Sequence, residues 1–442
     1  MAREKTNRQS AKSAKLSPGS SCGLGGLAVQ SPAPTRPIAE SSAVRSTLRG
    51  HRLGVGIALL AAAFGSQARA ERIDPTLPIE RAVGAPAGAQ PMHRVDGART
   101  GRSKTPLPTA PRVLWRARVT GGLDLPVAVD ARQHVVAASP MSQLLELDDR
   151  GKLAWTLKTG NSAPVLGPVI TTNGTRLVVT ANAELWGAAP NGTLRIKRSL
   201  PLPSVRGGVP PLAARDGGVV LALPGTLLYL DASGDVQARA KQAEAPVSLI
   251  EQGGRTLIVT ERGDVLEWKP PSEPTKLGSF GGRVDEGAAL SSPNHLTAVV
   301  DHERLVDFKL STKTRHIRLS SSERLQGPPA ILASGETRVA TFSGLMLGHD
   351  RTGIETARAE LEPSTGGSTA IPGLFLPPPL VVDGKGRVVF VRPGLDAGVI
   401  LESGEPKAAA GAACGDPLAL APAGPQRFLV ACRSGLIVMV GQ

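Results

Sequence analysis

The sequence predicts an all-β protein that folds as an eight-bladed β-propeller of four-stranded antiparallel blades. Three observations lead to this fold class. Gly and Pro contribute 51 and 38 of the 442 residues, a density of turn residues that suits many short strands and disfavours a helical bundle. A unit of four strands recurs eight times with a period of about 40 residues, as propeller blades do. The last unit lacks its fourth strand, while a spare strand precedes the first unit.

Each repeat begins with a Pro or a small residue and a short apolar strand, which we call A. A polar turn then leads to a strongly apolar strand B, a Gly or Asn turn to strand C, and an Asp/Gly turn to a more polar strand D. The repeats begin at Pro126, Pro168, Pro210, Pro246, Ala288, Pro328, Pro379 and Pro417. The longest interval contains an insertion at 361–378, which we predict to be a loop on one face of the ring.

The polarity of the strands supports this assignment. Runs that are apolar on both faces suit inner strands between neighbouring blades, whereas alternating runs such as 194–199 suit half-exposed outer strands. The runs rich in β-branched residues lie at 177–180, 219–223, 257–260, 387–391 and 428–432. Turn residues bound each of them.

The two ends of the repeat array complement each other. The eighth unit stops after strand C at 436–440, and an orphan strand with the alternation of a D strand lies at 113–119. Pairing these two segments closes the ring and removes the free sheet edges that would otherwise promote aggregation. We therefore predict that the propeller spans 113–442 and that an N-terminal strand closes it.

A secretory signal peptide is predicted within 1–70. The apolar run at 53–64 follows basic residues and precedes Ala68-Arg69-Ala70, which places cleavage between Ala70 and Glu71. Twelve apolar residues are too few for a membrane-spanning helix, which needs about 20. No Cys follows the apolar run, so we expect no lipid anchor or other stable membrane anchor, and a periplasmic or secreted protein.

The segments on either side of the apolar run lack apolar periodicity. Residues 1–43 make the n-region of the signal peptide unusually long, so we expect translation to start near Val44 or Leu48. Residues 71–111 contain seven prolines and are predicted to form an extended linker.

Cysteine usage agrees with export. Cys414 and Cys432 remain after cleavage, an even pair in an oxidising compartment and hence a candidate disulfide. Two unpaired buried thiols are the alternative. If Cys414 precedes strand A of the last blade and Cys432 ends its strand B, hairpin pairing brings them together.

The charge distribution argues against a nucleic-acid partner. The formal net charge is +14, of which residues 1–70, with ten Lys/Arg and two Glu, contribute +8. The remainder has both signs interspersed and no basic run of five, which indicates a solvated surface. Aromatic residues, at 3%, are too few for base-stacking platforms.

The junction between strands C and D of the first repeat, 147–155 (LDDRGKLAW), resembles the pyrroloquinoline-quinone-type (PQQ-like) propeller repeat. That family carries Asp and Gly in the turn and Trp in the outer strand. Weaker matches to this pattern occur at 231–236 and 350–354. The resemblance implies two roles. Members include quinone-dependent dehydrogenases as well as non-catalytic exported scaffolds, such as the lipoprotein propeller of the outer-membrane barrel-assembly machinery.

The enzyme branch of that family implies a quinone stacked on a Trp, a metal held by carboxylate and amide oxygens, and usually vicinal cysteines. The sequence has no Cys-Cys pair. Its four Trp residues fall on predicted C or D strands, away from the axis: Trp115, Trp155, Trp186 and Trp268. We therefore expect no quinone cofactor.

Other patterns that could carry chemistry are explained as turns. No HExxH, HxH or His/Cys cluster indicates a metal site, and no G-x-S-x-G elbow occurs. Asp301-His302-Glu303 and Asp148-Asp149 are predicted to be exposed turns, and the sequons at 173–175 and 191–193 to be hairpin turns. No catalytic, cofactor-binding or metal-binding residue is predicted.

The sequence thus favours an exported, non-enzymatic and monomeric propeller that binds a protein or a cell-envelope component through loops on one face. A quinone-dependent dehydrogenase-like propeller enzyme is the alternative. A lytic or sugar-processing propeller is a third hypothesis, for which the sequence offers no convergent carboxylates.

Overall fold

A computed structural model describes Arg94 and residues 96–361, 380–391 and 396–442. These residues form 32 strands in eight antiparallel four-stranded sheets, and they include no helix. No membrane-spanning helix is therefore found among them. The predicted eight-bladed propeller is confirmed.

The strands follow one another in chain order. The first is β1 (Arg112–Arg118). Blade 1 comprises β2 (Ala128–Val129), β3 (Val135–Ser139), β4 (Gln143–Leu147) and β5 (Leu153–Lys158). Blade 2 comprises β6 (Pro164–Ile170), β7 (Arg176–Thr180), β8 (Glu184–Ala188) and β9 (Leu194–Ser199). Blade 3 comprises β10 (Leu212–Ala213), β11 (Val219–Leu223), β12 (Thr226–Leu230) and β13 (Val236–Lys241). Blade 4 comprises β14 (Pro246–Gln252), β15 (Arg255–Thr260), β16 (Asp264–Trp268) and β17 (Thr275–Ser279).

The second half of the ring repeats the pattern. Blade 5 comprises β18 (Ala288–Ser292), β19 (His295–Val300), β20 (Arg304–Lys309) and β21 (Thr314–Ser320). Blade 6 comprises β22 (Leu325–Ile331), β23 (Thr337–Thr341), β24 (Leu345–His349) and β25 (Glu355–Glu360). Blade 7 comprises β26 (Val381–Val382), β27 (Val388–Phe390), β28 (Asp396–Ile400) and β29 (Pro406–Ala413). Blade 8 comprises β30 (Pro417–Pro422), β31 (Arg427–Cys432), β32 (Leu436–Gly441) and, as its outer strand, β1.

The ring closes where the sequence predicted. β1 pairs antiparallel with β32, from Arg112 opposite Gly441 to Arg118 opposite Leu436. Blade 8 also packs on blade 1 through β30 and β2. The C-terminal sheet therefore takes its outer strand from the segment that precedes blade 1.

Burial follows the strand order within each blade. Every residue of the second strands β3, β7 and β11 is buried, because each is covered by a neighbouring blade on both faces. The outer strand β13 alternates, with Ala238 and Ala240 buried between exposed neighbours. The core is thus a set of apolar layers between blades.

Trp side chains join consecutive blades at the perimeter. Trp115 Nε1 donates to the Asp149 carbonyl of blade 1 at 2.9 Å, and Trp155 Nε1 donates to the Pro190 carbonyl of blade 2 at 3.1 Å. In the turns that receive them, Gly151 has φ +77° and Gly192 has φ +83°. A Cβ there would lie 2.6 and 2.5 Å from the Trp115 and Trp155 indoles. Each Gly is required both by its conformation and by the indole.

Asp fixes the shape of the turn between strands C and D in three blades. Asp148, Asp231 and Asp350 each accept, on Oδ1, two backbone N–H groups of their own turn. The Thr352 hydroxyl, followed by backbone N–H groups of the same turn, lowers the pKa of Asp350 below its ordinary value. The Asp and Gly of the repeat therefore act in turn formation, as their residue types indicated.

The predicted disulfide is present in blade 8. Cys414 and Cys432 are bonded, with their Cα atoms 5.9 Å apart, and both are buried. Cys432 ends β31 and lies opposite Pro417, the first residue of β30. The bond therefore fastens the inner hairpin of the blade that closes the ring.

Candidate functional site

The axial channel of the ring is the first place to look for a site, and the protein's own chain lies in it. Residues 96–108, here called the channel segment, bond to the innermost strands. Glu251 N donates to the Gly97 carbonyl at 2.7 Å, and Ile331 N donates to the Thr100 carbonyl at 2.8 Å. Val382 N donates to the Gly101 carbonyl at 2.9 Å. These three contacts belong to blades 4, 6 and 7.

Arg99 extends the contacts of the channel segment to the opposite side of the ring. Its Nη2 donates to the Pro210 and Pro211 carbonyls at 2.9 and 3.0 Å, at the start of blade 3, and its Nε donates to the Leu249 carbonyl at 2.9 Å. Blades 3 and 7 face each other in a ring of eight. Arg99 and Gly101, two residues apart, reach both, so the channel segment lies across the axis.

The channel segment lies near the turns that join strands A and B. Its later residues continue to blade 8, where Gln426 N donates to the Pro106 carbonyl at 2.8 Å and Thr105 Oγ1 donates to the Gly424 carbonyl at 3.0 Å. Leu107 N donates to Asp383 of blade 7 at 2.9 Å. In blade 5, Leu290 N donates to the Ala98 carbonyl at 2.9 Å. The segment thus bonds to six blades, 3 to 8, before it continues into β1.

This arrangement refines the prediction of a linker at 71–111. The structure describes that segment from Arg94 onward, and there much of it is buried against the blades and not an extended spacer. The buried residues include Arg94, Arg99, Thr100, Ser103, Thr105 and Leu107. The Pro-rich composition predicted an extended linker. The burial of this segment rests on backbone hydrogen bonds, and such bonds leave no apolar period in the sequence from which burial could be predicted.

Two buried guanidiniums accompany the channel segment. Burial lowers the pKa of Arg94 to about 9 and that of Arg99 to about 10. Arg94 Nη2 donates to the Pro329 carbonyl at 2.6 Å. On the same side of the channel, burial raises the pKa of Glu286 to about 7, with Asp285 adding to the effect. The surroundings of the segment are therefore poor in solvent.

One cluster has ligand types that could hold a metal ion. Side-chain atoms of Asp130, His134 and Glu146 lie within 4.8 Å of one another in blade 1. Asp130 and Glu146 are buried. Sequence analysis missed this cluster because its members are separated by strand β3 and the turn before it, and only the β3–β4 register brings them together.

Arginines already occupy the carboxylates of that cluster. Arg176 of blade 2 donates to Glu146 through Nε at 2.8 Å and to Asp130 through Nη2 at 2.7 Å. Arg132 contacts the same two carboxylates at 3.1 and 2.9 Å. Two cations thus neutralise two anions. A divalent cation bound to the same carboxylates would be repelled by the two guanidiniums beside it. The cluster joins blades 1 and 2 and does not suit a metal.

A cleft of about 280 Å³ opens between blades 5 and 6, on the face that carries the A–B and C–D turns. Its polar lining includes Ser292, His295, Lys309, His316, Arg318 and Arg351. Its carboxylate, Asp307, accepts two bonds from Arg318 Nη2 and one from Nε at 2.7–3.0 Å. Since Arg318 neutralises this carboxylate, Lys309 and Arg351 leave the cleft with positive charge, which suits anion binding.

The residues that sequence analysis assigned to turns lie in turns. Asp148 and Asp149 lie between β4 and β5, and both sequons lie in hairpin turns of blade 2. Asp301, His302 and Glu303 form the B–C turn of blade 5. His302 is tied to its surroundings, since its Nε2 lies 3.0 Å from Asp285 and its Nδ1 lies 3.1 Å from the Leu325 carbonyl.

The Trp residues lie on the strands predicted for them. Trp115 and Trp155 are on outer strands and Trp186 and Trp268 on third strands. Trp268 Nε1 donates to the Ser272 carbonyl at 2.7 Å. The signal segment 1–70 with its cleavage site Ala70/Glu71, and the insertion at 361–378 beyond Leu361, lie outside the described residues.

Comparisons with known proteins place the fold. No family model matches the sequence, and no curated protein matches it. Among solved structures, BamB from Moraxella catarrhalis aligns with a TM-score of 0.55 at 16% identity, covering 75% of this chain and 100% of that one. The computationally designed Ika8 protein also aligns with a TM-score of 0.55, at 12% identity, covering 75% of this chain and 100% of its own.

A catalytically inactive virginiamycin B lyase from Staphylococcus aureus, solved with quinupristin, aligns at 11% identity with a TM-score of 0.45, covering 74% of this chain and 98% of that one. That similarity is too low to carry an argument. At these identities the comparisons show the architecture alone: the protein is similar to propellers that share its ring of blades.

Proposed function

We propose that the protein is an exported, non-enzymatic propeller of the PQQ-like type that acts as a scaffold for a protein partner of the cell envelope. The observation that carries the proposal is the channel segment. A propeller enzyme needs its axial channel for substrate or cofactor, whereas here the chain itself bonds to six blades across that channel. A rigid ring filled in this way offers its faces and perimeter for binding.

The charged clusters support a non-catalytic role. Each buried carboxylate in them is matched by a guanidinium: Asp130 and Glu146 by Arg176, Asp307 by Arg318. In blade 7, Arg387 Nε lies 2.7 Å from Asp383. A catalytic carboxylate needs an oxygen that can reach a reacting atom, and in these pairs the carboxylate oxygens accept hydrogen bonds from guanidiniums.

The perimeter contacts support the resemblance to PQQ-like repeats. The combination of turn Asp, turn Gly and outer-strand Trp occurs with a clear structural role at Trp155, and Trp115 repeats the packing in the strand that closes the ring. Since all four indoles lie on outer or third strands, none is placed to stack on a quinone at the axis. The proposal therefore takes the non-catalytic branch.

The disulfide supports export. A buried cystine forms and persists in oxidising compartments, and an 18-residue separation such as that of Cys414 and Cys432 contributes about 3 kcal/mol in the chain-entropy estimate. The signal-like run at 53–64 points to the same compartment.

The partner is best placed on the face formed by the D–A connections and B–C turns, because the channel segment occupies the opposite end. On blades 4 to 6 this face carries ion pairs such as Arg283–Glu261 at 2.6 Å and Arg262–Glu244 at 3.0 Å. Exposed charges of both signs provide the electrostatic complementarity that steers a protein partner toward such a face.

Site-specific photo-crosslinking tests the proposal. A photoreactive residue at Glu303 on this face should trap one recurrent protein in the native envelope, competed by excess unmodified protein. The same residue at Arg150, an exposed turn position on the opposite face, is the matched control and should trap none. Equal trapping from both sites, or none from either, would contradict the scaffold role.

A second measurement addresses the enzyme alternative. Purified full-length protein with pyrroloquinoline quinone and Ca²⁺ should give no change in quinone absorbance and no alcohol or sugar oxidation. Turnover above the background of free quinone would overturn the proposal.

A further inference from the structure

The outer strands of the ring differ sharply in charge around the perimeter. The four outer strands of blades 8, 1, 2 and 3, which are β1, β5, β9 and β13, contain nine Lys/Arg and no Asp/Glu. The outer strands of blades 4 to 7 contain five Lys/Arg and two Glu. The outer strands of the first group therefore give half of the ring a basic perimeter.

The strand register places most of these side chains in two tiers. In the upper tier, Arg118, Lys158 and Lys241 lie opposite the first residue of strand C in blades 8, 1 and 3. In the lower tier, Arg116, Lys197 and Arg239 lie opposite the third residue of strand C in blades 8, 2 and 3. We call these six residues the cationic rim.

The tiers lie close together and on one side of each strand. Positions two residues apart on a strand are about 7 Å apart and point to the same side. All six side chains of the cationic rim are exposed. The rim therefore offers positive charge at two levels along a curved path.

Most of the positive charge of the rim is not neutralised by a carboxylate of the described residues. Arg118, Lys158, Arg239 and Lys241 take part in none of the ion pairs there. Lys197 lies 4.3 Å from the centre of the Trp186 ring, which leaves its charge in place. At the same register positions in the second group, Lys276 and Arg358 are held by Asp264 and Glu355.

We propose that the cationic rim binds a linear polyanion, a polymer that carries phosphate or carboxylate groups along its length. Charge complementarity is the basis: Lys/Arg distributed over outer strands that contain no Asp or Glu bind such polymers by releasing their counterions. Arg118, Lys158 and Lys241 end their strands where the D–A connections begin, so the rim borders the proposed protein-binding face. Binding of a polymer to the purified protein does not depend on that function.

The shape of the rim favours a polymer over a membrane. Four consecutive blades in a ring of eight face outward over about half a turn, so a flat bilayer can meet only part of the rim. A flexible chain can follow the whole curve.

The composition of the rim favours a polymer over an acidic protein. Protein interfaces centre on buried aromatic or aliphatic anchors. The exposed apolar residues of these strands, Leu153 and Val236, start β5 and β13 and so lie at the other end of the strands from the upper tier. Electrostatic contact along a polymer requires no such anchor.

Titration of the full-length protein with inorganic polyphosphate and with polygalacturonate, at several salt concentrations, tests the inference. Both should bind, with a logarithmic affinity that falls linearly with the logarithm of salt. The variant Arg118→Gln/Lys158→Gln/Lys241→Gln should bind about 100-fold more weakly at low salt, and its salt slope should fall by about 3. Circular dichroism verifies that the variant is folded.

The matched control removes the same charge from the other half of the ring. Lys276→Gln/Arg315→Gln/Arg358→Gln should change the affinity by no more than about 3-fold, since two of its three side chains are already paired. Equal losses in both triple variants would overturn the inference, because binding would then follow net charge. Absence of polymer binding, or tighter binding to phosphatidylglycerol vesicles than to either polymer, would overturn it as well.

Discussion

The two halves of the ring stabilise the same outer strand in different ways. In blades 8 and 1 the outer strand is fixed by an indole packed on the glycine turn of the next blade, as with Trp155 on Gly192. In blades 4 and 5 the outer strand is held by ion pairs to the third strand of its own blade, Lys276 with Asp264 and Arg318 with Asp307. Where packing joins the blades, basic side chains stay available for a ligand. Where ion pairs hold the outer strand to its own blade, the basic side chains are used internally.

The largest expected effect lies in the ion-paired half. Arg318→Ala should destabilise the protein by about 3–5 kcal/mol, because it leaves the Asp307 carboxylate buried without its bidentate partner. Arg239→Ala, on the equivalent outer strand of blade 3, should change stability by less than about 0.5 kcal/mol. Denaturant unfolding measures both. Similar costs would show that the two halves do not differ in this way.

A smaller effect is expected for the glycine turns. Gly192→Ala should cost about 1–3 kcal/mol, because the Cβ must enter the Trp155 indole. Gly404→Ala is the matched control: this Gly occupies the same turn of blade 7 with φ +84°, and nothing lies within 4 Å of its Cβ position. It should cost about 1 kcal/mol from backbone conformation alone.

A double variant separates the two contributions. In a Trp155→Ala background, the cost of Gly192→Ala should fall to that of Gly404→Ala, because the indole is gone. If the cost of Gly192→Ala is the same in both backgrounds, packing against Trp155 is not the reason for glycine at position 192.

The smallest effect concerns His349, which is surrounded by cations of the ion-paired half. Burial lowers the pKa of His349 below its ordinary value; the Glu355 carboxylate opposes this shift, and Arg318, Arg338 and Arg358 add to it. The unfolded chain therefore binds a proton near pH 6.5 that the folded chain does not, and stability falls as pH drops below that value.

For one histidine this loss is at most about 1.4 kcal/mol per pH unit. His349→Gln should reduce the decline in unfolding free energy between pH 7.5 and 5.5, as thermal or urea unfolding at each pH will measure. Parallel pH profiles of the variant and the wild type would contradict the assignment.

Strand-level prediction succeeded because strand polarity is a local property. The assignment of 194–199 as an outer strand and of 219–223 as a second strand matches β9 and β11. The orphan segment at 113–119 could be paired with 436–440 because a missing strand and a spare strand are both visible in the repeat. The strand assignments need only nearest neighbours in the sequence, and the closing pair needs only the count of strands in each repeat.

The channel segment and the cationic rim could not be found in that way. Residues 96–108 are buried by hydrogen bonds to six blades that lie far away in the sequence. The rim residues Lys158, Lys197 and Lys241 are each separated by about one repeat, so no basic run appears. Aligning the D strands of the repeats by register, and not only their apolar runs, would have revealed the rim.

The channel segment has a consequence for the order in which the protein assembles. A chain that emerges N-terminus first exposes residues 96–108 well before the strands of blades 6 to 8 that will cover them have been synthesised. Their partners lie up to 319 residues away, the separation of Thr105 from Gly424. Contacts over such distances slow folding. Residues 96–108 therefore stay hydrated and without their native partners until the last blades have been synthesised, and throughout that interval they are accessible to a chaperone.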